Sequence, residues 1–182
     1  MAKRELKGQE FIRCEAFWQP DDVGESFTGI LLDVNEKMVD KMSGKDRPLY
    51  IFAYAPMKGE KHTLVLEKEV VKLKPGQIVG VNSASEIDSK LGQHLAEAFG
   101  HEVTIVFTKK ENFVNKAGAA RSIKRYKVEL DDALHTGSHT RDGKTVTYAS
   151  YERKDAKPIG AVTERETTTS SPVPFDVPDT AN

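Results

Sequence analysis

The chain has a single cysteine, Cys14, in 182 residues. That excludes an internal disulfide and a cysteine-based zinc site, and it makes a reducing, cytoplasmic setting the expectation. Cys14 lies in a β-prone segment with no activating neighbour and reads as a buried, inert thiol. Long apolar runs are also missing. Segments such as 29–32 and 105–107 fall far short of the ~20 residues a membrane helix needs, so no membrane association is expected. No apolar stretch follows the charged start Met-Ala-Lys-Arg-Glu, so no secretory signal is expected either. A Gly-x-Ser-x-Gly elbow is absent, and Gly44-Lys45 lacks the upstream glycine and following hydroxyl of a phosphate-cradling loop. His135 and His139 are four apart, but Thr136-Gly137-Ser138 between them is a poor helix and no ligand cluster completes a site. Asp21-Asp22 and Asp131-Asp132 read as turn residues and strand ends. No catalysis, metal or cofactor is expected.

What the chain does hold is a soluble composition, with 38% hydrophobic and 30% charged residues and a mean hydropathy of −0.51. The formal net charge of −1 averages two opposed segments. Residues 105–127 carry seven Lys and Arg against Glu111 alone, a net of +6, whereas residues 155–182 carry a net of −3. From about Asp155 the chain turns to Thr, Ser and Pro and reads as a disordered acidic tail.

Between these features the pattern is mostly β. Strands are expected over 10–18, 26–34, 49–54, 77–81, 101–108 and 122–130, with 62–73 β-compatible. Residues 35–46 read as a loop or short irregular helix, and 109–121 as a polar connection holding Asn115, Lys116 and Gly118. One helix is expected after Ser85, which forms a capping-box pattern with Asp88. Ile87, Leu91, Leu95 and Phe99 give it an apolar face, and Gly100 is placed to end it. Asp142-Gly143 before residues 145–151 suggests a small extra hairpin or arm.

One helix between the third and fourth strands of a five-stranded antiparallel barrel is the OB arrangement, with the helix plugging the open end. The expected fold class is therefore all-β, an OB-fold β-barrel with one helix and a tail. Its divisions are an OB domain over 1–132, an extension or hairpin over 133–154 and a flexible tail over 155–182.

Residues 25–32, 46–52, 76–81, 100–107 and 124–128, with the helix between the third and fourth of these, resemble phage-encoded single-stranded-DNA-binding proteins. The resemblance spans roughly 25–130. It implies a barrel that coats single-stranded DNA during replication or recombination, in a bacterial host's cytoplasm. Many proteins of that class recruit replication or recombination proteins through an acidic tail ending in Pro-Phe. Here Pro174-Phe175-Asp176 is followed by further residues to Asn182, a departure from that pattern.

Sequence-tolerant binding needs cations for the phosphates and aromatic faces for the bases. Lys109, Lys110, Lys116, Arg121, Lys124 and Arg125 supply the first, beside Phe113 as the strongest stacking candidate. Phe113 can alternatively fold back on the barrel. Tyr50, Phe52 and Tyr54 are spaced by two and share one strand face, which is either core or stacking surface. Trp18 is either a barrel-end plug or a platform. Two rival readings are a protein-interaction or inhibitor module on the same barrel and an RNA-binding OB domain.

Overall fold

The computed structural model describes residues 12–39 and 46–150, and side chains over 12–35 and 47–150. The tail at 155–182 and its Pro174-Phe175 lie outside the described residues, as do residues 40–45 of the expected 35–46 loop. The chain is mostly β. Its strands are β1 (Ala16–Trp18), β2 (Ser26–Val39), β3 (Asp46–Tyr54), β4 (Leu64–Leu66), β5 (Glu69–Val70), β6 (Ile78–Asn82), β7 (His101–Val114), β8 (Ala120–Leu134), β9 (Ser138–Arg141) and β10 (Lys144–Thr147). Helices α1 (Ser85–Lys90) and α2 (Leu95–Ala98) lie between β6 and β7. No helix among the described residues is long and apolar enough to cross a membrane.

Eight strands form one sheet in the order β5-β4-β1-β6-β3-β2-β7-β8, and β9 and β10 form a separate hairpin. Every ladder is antiparallel except the one between β1 and β6, which is parallel. The sheet curls far enough for its two sides to share one core. Trp18 on β1 meets Tyr126 on β8 with ring centroids 5.9 Å apart. No backbone pairing joins β8 to β1 among the described residues; side chains alone bridge them.

The core explains the aromatic stripe on β3. Tyr50, Phe52 and Tyr54 face inward and are buried with Phe27, Leu31, Val79 and Phe107. Phe27 and Phe52 pack edge to face at 5.3 Å. Burial of such a side chain contributes about 1.5–3 kcal/mol. The opposite face of the same strand is also covered, because Ala53 and Ala55 join Ile30, Leu32 and Tyr148 in a second cluster. A strand covered on both sides reads as a continuous apolar run, so alternation alone cannot identify its core face.

The C-terminal hairpin β9–β10 is fastened by charge as well as packing. Glu102 accepts from His139 Nε2 at 2.6 Å and from Arg141, and Arg141 also donates to the Ala55 carbonyl at 2.7 Å. Gly76, at φ +92°, lies so close to the hairpin that a Cβ would sit 2.6 Å from Val146. A side chain there would force the hairpin away.

Three expectations need correction. The single helix is broken into α1, a 3-10 turn over Gly92–His94, and α2. Gly92 is a poor helix former, and His94 leaves helical backbone geometry at φ −123°, ψ 29°. The apolar series nevertheless packs inward through Ile87, Leu91 and Leu95. The N-cap is Ala84 rather than Ser85, with no side-chain cap. The Asp88 carboxylate, fully buried, accepts instead from the Tyr50 hydroxyl at 2.6 Å and from Ser83. Finally, residues 35–39 continue β2 instead of forming a loop.

Candidate nucleic-acid interface

The segment expected as a loop, 109–121, is mostly strand. β2 pairs with β7 only from Glu102 to Val106, whereas β7 and β8 stay paired out to Val114 and Ala120. Beyond Phe107 the two strands therefore leave the sheet as a two-stranded arm. Its turn is built by Asn115. The Asn115 side-chain oxygen accepts from the amides of Ala117 at 3.0 Å and Ala119 at 2.9 Å, and Gly118 takes φ +81°. The result is a pre-shaped tip that carries Lys116.

The register sorts the arm's side chains onto two faces. One face carries Lys109, Glu111 and Phe113 opposite Arg125, Ile123 and Arg121. The other carries Lys110, Asn112 and Val114 opposite Lys124, Ser122 and Ala120. On the first face Glu111 is shared by Lys109 at 3.2 Å and Arg125 at 3.4 Å. Hydrogen bonds from Lys109 and then Arg125 hold its carboxyl below the usual range. Two of the expected phosphate-binding cations are thus partly neutralised.

Lys110, Lys116 and Arg121 form no ion pair among the described residues. Lys110 stands directly opposite Lys124, a like-charge pairing that weakens a ribbon unless an anion bridges it. Lys124 turns toward the body instead, donating to the Pro20 carbonyl and lying 5.3 Å above the Phe107 ring. Lys127, outside the expected set, is tied to Glu129 at 2.5 Å. Phe113 is 42% exposed on the arm, directly opposite Arg121, and so offers a ring face next to a cation.

Among the described residues the body contributes no comparable aromatic surface. Tyr50 and Phe52 are fully buried and Tyr54 is 7% exposed, so none presents a ring to solvent. The Tyr54 hydroxyl is further engaged with His62 Nε2 at 2.5 Å. Trp18 is 3% exposed and lies at the arm's root between Phe27 and Tyr126. The structure thus gathers Lys109, Lys110, Phe113, Lys116, Arg121, Lys124 and Arg125 on one arm, and puts Tyr50, Phe52, Tyr54 and Trp18 in the core. Cys14 is half-buried, and burial pushes its thiol up to about 11, which keeps it protonated and unreactive.

Glu111 as a neutraliser and the hairpin clasp of Glu102, His139 and Arg141 were not legible beforehand. Both depend on which strand faces meet in space. No family model, no curated protein and no solved structure matches the chain.

Proposed function

We propose that the protein binds single-stranded DNA with little sequence preference, using the β7–β8 arm as its phosphate track and Phe113 as a stacking face. The observation that carries this reading is the arm itself: among the described residues, a ribbon without a third strand, bearing three cations that no carboxylate neutralises and an exposed aromatic ring. Cations and ring faces in alternation suit a flexible strand whose bases are unpaired.

The strand order lends support. Taking β2, β3, β6, β7 and β8 as strands one to five, the order 3-2-1-4-5 with helices between the third and fourth is that of an OB barrel, and β7–β8 forms its fourth-to-fifth connection. In this reading β1 occupies the edge of β6 where the fifth strand would close the barrel. Coating of strands in replication or recombination, with the acidic tail recruiting partner proteins, extends the same proposal.

A two-stranded cationic ribbon also fits the major groove of a duplex. Fluorescence anisotropy with a labelled dT strand, its duplex and an RNA counterpart separates these readings. Tight, salt-sensitive binding to the dT strand supports ours. Preference for the duplex moves the arm to groove binding, and no binding at low salt leaves a protein-interaction module.

A further inference from the structure

Where the two ends of the sheet meet without a ladder, a cleft of about 280 Å³ opens at the root of the arm, lined by Trp18, Asn82, Ser83, Ile87, Lys124 and Tyr126. That volume falls just under the ~300–1,000 Å³ usual for ligand sites, a scale that suits a single base. Its lining combines flat apolar groups with exposed polar ones. Asn82 supplies an amide that both donates and accepts, and Asp21 at the rim adds an acceptor. Trp18 also keeps its indole N–H buried with no acceptor among the described residues. An orphan donor of this kind is costly. Lys124 borders the cleft, and among the described residues its ammonium is held only by the neutral Pro20 carbonyl and the Phe107 ring. A phosphate is the stronger partner for that group.

We propose that this cleft receives a single nucleobase of the bound strand, with Asn82 and Asp21 meeting its hydrogen-bonding edge and Lys124 exchanging the Pro20 carbonyl for the adjoining phosphate. The inference rests on the nucleic-acid reading above and adds to it a discrete one-base site. Lys124 and Tyr126 are both β8 residues at the arm's root, so a strand following the arm reaches the cleft directly. An inserted base replaces the stacking that the buried body aromatics do not offer.

Trp18 is the only tryptophan and lines the cleft, so its emission reports occupancy. The intact protein is titrated with each of the four deoxynucleoside monophosphates and separately with inorganic phosphate. A saturable change with at least one nucleotide and none with phosphate is expected. Lys124→Ala should weaken that response about tenfold, the worth of one charge-assisted contact. Asn82→Ala should alter the ranking of the bases. Asn82 and Lys124 are both exposed, and circular dichroism checks that each variant folds. No saturable change with any nucleotide, an equal response to phosphate, or indifference to both variants overturns the cleft. Oligonucleotide anisotropy run in parallel keeps the two readings apart. Strand binding with a silent Trp18 defeats the cleft alone, and a nucleotide response without strand binding defeats the arm alone.

Discussion

Replacing Lys110, Lys116 and Arg121 together by glutamine removes the three arm cations that no carboxylate among the described residues neutralises. Each cation that meets a phosphate of a single strand releases counterions and contributes about −0.7 to the slope of log K against log salt. Three such contacts give a slope change of about 2. The same relation makes each contact worth roughly fivefold in affinity at ~0.1 M salt, so the triple variant should bind on the order of a hundredfold more weakly there. Lys109→Gln should cost less, because Glu111 already offsets that charge. Glu111→Gln should do the reverse, strengthening binding several-fold by releasing Lys109 and Arg125. The assay is anisotropy of a labelled dT strand at four or five salt concentrations, with slopes compared across the variants. If the triple variant keeps the parent slope, or Glu111→Gln weakens binding, the arm is not the phosphate track.

Other consequences concern stability. Tyr50→Phe removes the hydroxyl that donates to buried Asp88 and should cost about 1.5–3 kcal/mol. In a thermal melt this is a Tm drop of roughly 3–12 °C. Glu102→Gln leaves Arg141 and His139 without their shared carboxylate, so amide exchange over 138–147 should accelerate while β2 and β3 stay protected. His62 is held below its usual 6.5 mainly by burial, against the opposing pull of Glu60 and Glu25. Its neutral form is favoured by folding, so denaturation midpoints should fall as pH drops through about 6.5 toward the lower folded value. His62→Gln should flatten that decline, leaving the part due to His135, which burial also lowers.

The central elements of the fold were legible because they bury a face. Phe27, Ile30, Leu32 and Val34 on β2 and the run from Leu49 to Tyr54 on β3 mark strands by apolar content, and Gly100 marks a chain reversal at φ +81°. Residues 109–121 of the arm were not legible as strand because both faces of the ribbon are solvated there. Lys109 to Asn112 carries no apolar alternation, and a polar ribbon and a polar loop then look alike. Residues 35–39 were missed because Asn35-Glu36-Lys37 is equally polar in sequence. The candidate cations were found by counting, but counting cannot tell that Glu111 shares a face with Lys109 and Arg125 while Lys110 and Lys124 share the other. The role of Tyr50, Phe52 and Tyr54 needed the hairpin seen folded back over Ala53 and Ala55.

Amide hydrogen exchange of the full chain, with and without a saturating dT oligonucleotide, tests the central claim most directly. The account predicts new protection over 107–127 and at the arm's root around residues 18–21 and 81–83, with β9–β10 unchanged. Protection confined to other surfaces, with the arm exchanging as freely as in the unbound protein, would contradict it.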